Sequence, residues 1–310
     1  MKNIRIASRA SKLALIQSNI VKTALEGLSA DVNVSIVKIS TEGDRDKSSF
    51  LYKKDSVGFF TSEVENALLD RRADIAVHSL KDLPTSITTG LQITAIPKRE
   101  SPADALVSSL PVSSIADLPA GSTIGTSSLR RIAQIRHLRN DLKCVPLRGN
   151  VETRLSKVES GIMDSAIVAC AGVNRLGLSE KISAVLEPNK FLIAPGQGAL
   201  AIQTRTDDTQ LIELVLKLDD ENTRIGAEAE RQILAKMHGG CSIPLGVFSE
   251  ILGDTITLDA VICDTQGTKY IRTSRSAPLD QAKNTANEIA KELLNAGGKE
   301  ILEQIRIADQ

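Results

Sequence analysis

Four short segments place reactive side chains where regular structure should end. In Val77-His78-Ser79-Leu80-Lys81-Asp82-Leu83-Pro84, an apolar run gives way to His, Ser, Lys and Asp before a proline halts the backbone. A carboxylate there can stabilise a developing cation and move protons. Lys81 beside it can hold a substrate carboxylate or keep Asp82 ionised. In Ser127-Ser128-Leu129-Arg130-Arg131, two serines offer a helix N-cap, so backbone N–H groups stand at the positive end of a helix dipole and form an anion site. Adjacent arginines in a first turn oppose that dipole unless an anion compensates them. Arg148-Gly149-Asn150-Val151-Glu152-Thr153-Arg154 repeats the theme, Arg175 follows an apolar run ending near Ala169, and Arg9 follows Ile6-Ala7-Ser8. Guanidiniums so placed suit bidentate capture of carboxylates. In His238-Gly239-Gly240-Cys241-Ser242-Ile243-Pro244, two glycines leave room for a bulky group beside the sulfur. This cysteine follows a helix C-terminus, where the dipole does not activate a thiol, so a stable covalent anchor fits better than a redox or protease nucleophile. Each segment alone has a plainer reading: an exposed Lys-Asp turn, a solvated arginine pair, a small buried cysteine. The last is the expectation for Cys144, Cys170 and Cys263.

These residues need elements to hold them. Ile4-Arg5-Ile6 leads into a helix with Leu13, Ile16, Ile20 and Leu25 on one face. Val32, Val34 and Ile36 alternate as a strand, 61–72 reads as helix, and Asp74-Ile75-Ala76-Val77 as a short strand. This βαβα order predicts a mostly parallel sheet covered by helices. The pattern recurs: Ile124-Gly125-Thr126 precedes a helix with Ile132-Ala133, and Asp164-Ser165-Ala166-Ile167 echoes residues 74–77. Two related α/β lobes follow, with a ligand expected in a cleft between them, outside the carboxyl ends of the strands. Pro195-Gly196-Gln197-Gly198 marks a crossover before the strand Leu200-Ala201-Ile202. Ile225, Ala229, Ile233, Leu234 and Met237 then stripe a helix. An alternating strand at 256–262 and two helical stretches complete a small α+β domain.

Composition narrows the function. The chain has 310 residues, with Lys+Arg and Asp+Glu both 38, so any anion site needs local clustering of basic groups. Aromatics at 2% and the lack of Trp argue against base-stacking on nucleic acid. No apolar run suits a signal peptide or membrane span, and the cysteines form no C-x-x-C pair, so a reduced, cytoplasmic protein is expected. His78, His137 and His238 lack metal-ligand spacing, and Gly196-Gln197-Gly198 is not a dinucleotide fingerprint.

Taken in order, six motifs resemble hydroxymethylbilane synthases (porphobilinogen deaminases) across nearly the whole chain. They are Ile6-Ala7-Ser8-Arg9-Ala10-Ser11, the 77–84 segment, Gly125 to Arg131, Leu147 to Leu155, Ala194-Pro195-Gly196-Gln197-Gly198-Ala199 and Gly239-Gly240-Cys241. The resemblance implies two lobes like periplasmic binding proteins with a small C-terminal α+β domain. The expected division is 1–96 with 196–217, then 97–195, then 218–310. It further implies a dipyrromethane cofactor, thioether-linked to Cys241, on which four porphobilinogens condense head to tail with loss of ammonia. Asp82 falls on the family's catalytic aspartate. Arg9, Arg130, Arg131, Arg148, Arg154 and Arg175 match arginines that hold acetate and propionate groups. Ser11, Ser79, Lys81, Ser127, Ser128 and Gln197 match other polar positions of the cleft. A monomer needing no metal, nucleic acid or membrane is implied. Two departures concern Val57, where many relatives have lysine, and Gln203, where glutamate is common. A non-catalytic two-lobed polycarboxylate receptor would account for the arginines but not for Asp82 or Cys241, and a nucleotide-dependent transferase would need a phosphate loop that the chain lacks.

Overall fold

A computed structural model describes residues 2–40, 61–237 and 243–308; Cys241, His238 and the 53–59 stretch containing Val57 lie outside them. The chain begins β1 (Lys2–Arg9), α1 (Lys12–Glu26), β2 (Val32–Ile39), α2 (Ser62–Leu69), β3 (Ile75–Ser79) and β4 (Leu91–Ala95). It continues with β5 (Asp104–Ser108), β6 (Thr123–Gly125), α3 (Leu129–Leu138), β7 (Lys143–Val145), α4 (Val151–Glu159), β8 (Ser165–Ala169), α5 (Cys170–Arg175) and β9 (Ala184–Leu186). Then come β10 (Leu200–Arg205), α6 (Thr209–Leu216), α7 (Glu221–Lys236), β11 (Leu245–Leu252), β12 (Thr255–Cys263) and β13 (Tyr270–Pro278). Two helices, α8 (Ala282–Leu293) and α9 (Lys299–Ala308), complete the described order.

The chain folds as two compact units, Met1–Glu100 with Ala199–Ile225, and Ser101–Gly198 with Gly226–Gln310. In the first unit the sheet order is β2-β1-β3-β10-β4. β1 runs parallel to β2 and β3, whereas β10 runs antiparallel to β3 and β4. The expected mostly parallel sheet is therefore mixed, because β10 returns from far along the chain and threads in against β3. Ile4, Ile6, Ile75, Val77 and Ile202 pack with Val21 and Leu25 of α1 and with Leu211 and Val215 of α6. Ala7, Ala76, Val64 and Leu68 form a second apolar cluster with α2. Burial on both faces explains why these strands are short apolar runs.

One sequence expectation fails within α1. Its buried residues are Gln17, Ser18, Val21 and Leu25, while Ile20 is 45% exposed. The apolar stripe misled because a polar side chain on the inner face has a partner: the Gln17 amide donates to Ser79 Oγ at 2.8 Å. Burying an amide is tolerable when it is hydrogen-bonded.

The second unit repeats the first sheet's plan in the order β7-β6-β8-β5-β9. β6 is parallel to β7 and β8, and β5 is antiparallel to β8 and β9. The same unit holds the antiparallel sheet β11-β12-β13, with α8 burying Ala286, Ile289, Ala290 and Leu293. This is the α+β arrangement expected for the C-terminal part.

The turn between β12 and β13 seats on the C-terminal end of α3. The Arg136 guanidinium donates to the Thr265 carbonyl, and the His137 ring stacks on Tyr270 with centroids 4.0 Å apart. Gly267 makes the close approach possible: its φ is +76°, and a Cβ there would lie 2.5 Å from the His137 backbone nitrogen. Gly267→Ala should therefore destabilise the protein by about 1–3 kcal/mol, from left-handed backbone strain plus the clash. Denaturant unfolding measures this, and a midpoint matching the parent would show that the turn can retreat without loss.

Candidate active site

In the first unit, Ala7 lies across from Ala76 in the parallel β1–β3 pair, so the carboxyl ends of both strands share one edge of the sheet. Arg9 ends β1, and Ser11 caps α1, its hydroxyl accepting from the Ala14 N–H at 3.3 Å. Ser79 ends β3, and Lys81 and Asp82 sit in the short 3₁₀ turn Leu80–Asp82. Apolar anchors set that turn. Leu80 and Leu83 are buried, and the Leu80 N–H donates to the Ala199 carbonyl at 3.0 Å. Between the two leucines, Asp82 is left exposed.

His78 turns inward from the same strand. Its Nε2 lies 3.1 Å from Gln203 Oε1, the Gln203 amide donates to Glu65 at 2.8 Å, and Glu65 accepts from the Thr88 hydroxyl at 2.9 Å. Burial pushes the His78 pKa below its ordinary value, opposed by Glu65, the Gln203 bond and Asp82, and assisted by Arg9. A pKa below the ordinary value leaves the ring mostly neutral at pH 7, with its Nε2 taken up by Gln203. Gln203 suits the place because its amide both accepts and donates; a glutamate would set two carboxylates against each other.

In the second unit, β7, β6 and β8 run parallel, so three carboxyl ends share an edge. Ser127, Ser128, Arg130 and Arg131 follow β6, Arg148 and Arg154 follow β7, and Arg175 follows β8. These seven residues thus follow strands whose carboxyl ends share an edge, and the serines act differently from expectation. Ser128 occupies the N-cap without a side-chain cap bond. The Ser127 hydroxyl instead donates to the Leu147 carbonyl and accepts its N–H, at 3.1 and 3.0 Å. Asn150 caps α4, accepting from the Thr153 N–H and hydroxyl at 2.8 and 2.7 Å. Arg154 Nε donates to the Gly149 carbonyl at 2.9 Å, and an Arg175 terminal nitrogen donates to the Gly198 carbonyl at 2.7 Å.

The anion that compensates the arginine pair lies inside the protein. Arg130 and Arg131 are only 4% and 6% exposed, and both meet the fully buried carboxylate of Asp104 at the start of β5. β5 is antiparallel to β8 with Asp104 opposite Ala169, which delivers the carboxylate to this same edge. Arg130 also donates to the Leu192 carbonyl and Arg131 to that of Ile167, at 2.7 and 2.8 Å. Burial alone would raise the Asp104 pKa, but the two guanidiniums outweigh it and hold the carboxyl well below the usual carboxylate range. Gln197 is fully buried, and its amide donates to Asp104 and to the Pro102 carbonyl, each at 2.8 Å. Sequence reasoning missed Asp104; the available signal was an acidic residue opening the apolar run Ala105-Leu106-Val107.

Among the described residues, no group of three or more His, Cys, Asp or Glu is placed to hold a metal ion, and no helix is long and apolar enough to cross a membrane.

Both units are thus mixed α/β sheets with basic residues following the carboxyl ends of parallel strands. Comparison with known proteins makes this specific. A family model described as "Porphobilinogen deaminase, dipyromethane cofactor binding domain" matches residues 4–213, and one described as the C-terminal domain of porphobilinogen deaminase matches 225–295. The chain is 43% identical over 302 residues to a porphobilinogen deaminase of Syntrophobacter fumaroxidans, covering 97% of each. It is 43% identical over 305 residues to that of Maridesulfovibrio salexigens, covering 98% of this chain and 99% of the relative. Similar solved structures include the methionine-binding protein MetQ (TM-score 0.45, 11% identity, 74% of this chain and 94% of that one). Another is a periplasmic solute-binding protein from Desulfovibrio salexigens (TM-score 0.42, 12% identity, 71% and 73%). The chain belongs to the porphobilinogen deaminase family.

The residues present fit the dipyrromethane cofactor of that family. Two buried guanidiniums against one carboxylate leave a net positive charge, and Arg130 Nε is buried with no hydrogen-bond partner. An orphaned buried donor is unfavourable by roughly 1–3 kcal/mol, and a carboxylate-bearing group would relieve it.

Cys170 and Cys263 are core residues, whereas Cys144 is only partly covered. Burial pushes the thiols of Cys170 and Cys263 up to about 11 and about 12. Since the thiolate is the nucleophile, at pH 8 only about one part in a thousand of Cys170, and less of Cys263, is reactive. Iodoacetamide at pH 8 should leave both unmodified in the folded protein, as read by peptide mass mapping, and alkylate them only after unfolding.

Proposed function

We propose that this chain condenses four porphobilinogens head to tail into the linear tetrapyrrole hydroxymethylbilane, with Asp82 at the reacting carbon and Cys241 as the thioether anchor of the cofactor. Supporting this is the succession of Arg130, Arg131, Arg148, Arg154 and Arg175 after three parallel strands whose carboxyl ends share an edge, in a chain of zero net charge. Each pyrrole carries two carboxylates, so a growing chain needs many guanidiniums. When bound, the cofactor supplies a tethered pyrrole carbon to which the first unit is joined.

The remaining chemistry falls to the chain's own groups. The C–N bond of the substrate's aminomethyl group breaks and the nitrogen leaves as ammonia. A C–C bond forms at that carbon, and the attacked ring then loses its α-proton. Asp82, exposed at its turn, stabilises the cation that forms on the substrate, assists proton delivery to the departing amine and receives the ring proton. Lys81 and Arg9 hold substrate carboxylates beside it, with Ser11 and Ser79 shaping the rim. Ser127, Ser128, Arg148, Arg154 and Arg175 bind the acetate and propionate groups of the chain, and Gln197 braces Asp104 beneath them. Water releases the finished tetrapyrrole. A three-domain division at residues 97, 196 and 218, a monomeric state and a cytoplasmic location complete the proposal. The non-catalytic receptor reading is not favoured, since the family is one of enzymes.

Intact mass tests the anchor: the purified protein should carry one dipyrromethane, and Cys241→Ser none. Asp82→Asn should retain substrate binding and lose turnover by about a hundredfold or more. Turnover near the parent value would remove Asp82 from this role.

A further inference from the structure

The Asp104 carboxylate is saturated. Arg130 and Arg131 donate to Oδ2 at 2.8 and 3.2 Å, and Arg131 and Gln197 donate to Oδ1 at 2.6 and 2.8 Å. A carboxylate offers about four acceptor positions, and all are filled. Without it, two guanidiniums adjacent in a first helical turn repel each other and oppose the helix dipole. The two arginines are also unequal. Arg131 commits its Nε and both terminal nitrogens to Asp104 and the Ile167 carbonyl. Arg130 reaches Asp104 and Leu192 through one terminal nitrogen, and its Nε has no partner.

We propose that Asp104 is a positioning residue. By seating both guanidiniums on one carboxylate it fixes their spacing and leaves a single net positive charge for the ligand, with Arg131 as the brace and Arg130 as the arm that donates. This rests on the function proposed above and adds a residue to it. Gln197 is the third support: bonded at once to Asp104 and Pro102, it stops the carboxylate from rotating away. Its turn is held in place by the buried Glu230, which accepts from the Gly196 N–H at 2.7 Å and from the Ser249 N–H and hydroxyl at 3.0 and 2.7 Å.

The test compares Asp104→Asn, nearly isosteric but neutral, with Asp104→Glu, which keeps the charge. Intact mass reads the dipyrromethane-bearing fraction, thermal unfolding reads the fold, and steady-state rates read the loaded enzyme. In Asp104→Asn the loaded fraction should fall about fivefold or more, since removing one partner of a buried pair leaves uncompensated charge. In the part that loads, KM for porphobilinogen should rise about tenfold with kcat changed less than about threefold, the signature of lost uniform binding. Asp104→Glu should recover most of the loading. Equal behaviour of the two variants, or an Asn variant matching the parent, would overturn the role.

Should Asp104→Asn fail to fold, the parent sequence still decides. Arginine side-chain NMR compares the loaded protein with unloaded Cys241→Ser. The Arg130 Nε–H signal should shift on loading while that of Arg131 stays, and the reverse pattern overturns the proposal. A parent carrying no dipyrromethane and making no tetrapyrrole would instead remove the functional reading itself, and this proposal with it.

Discussion

One buried carboxylate organises the strand-end edge of the second unit. Asp104 is fully buried, and it lies against two guanidiniums that are themselves almost wholly covered. Buried ion groups are seldom a net source of stability, because desolvation offsets the attraction. Their worth is in geometry: the charges, once buried, must stay where their partners are. Here the partners come from β5, from the first turn of α3 and from the turn before β10, three segments distant in sequence. The arginine pair that sequence presents as a ligand-seeking cation is therefore part of a prebuilt constellation.

The first unit solves a different problem at its own strand ends. The carboxylate of Asp82 stays in contact with solvent, held between the buried Leu80 and Leu83. Behind it runs a hydrogen-bonded chain of side chains, His78 to Gln203 to Glu65 to Thr88, with donors and acceptors matched.

Much of this was legible in the residue order. Strand-to-helix switches at 9–12, 126–129 and 148–151 located the basic side chains at strand ends, because period and capping residues are local signals. The existence of β10 was legible in Leu200-Ala201-Ile202, but its antiparallel place between β3 and β4 was not, since pairing partners are set by tertiary packing. Asp104 escaped for the same reason: an aspartate before an apolar run reads as a turn residue until the fold brings Arg130 and Arg131 to it. The inner face of α1 was misassigned because a hydrogen bond from Gln17 to Ser79 joins residues 62 positions apart. What links distant segments was invisible; what terminates a local element was not.

The position of β10 has a consequence for biosynthesis. All six of its residues are buried in the middle of the first sheet, yet they emerge only after the whole second α/β sheet has been made. Among the described strands, until residue 205 leaves the ribosome β3 presents an open edge and β4 has no neighbour in its sheet. Open strand edges invite pairing with other chains. The nascent amino-terminal segment must therefore wait, half-assembled, through the translation of about a hundred further residues at roughly 5–20 per second.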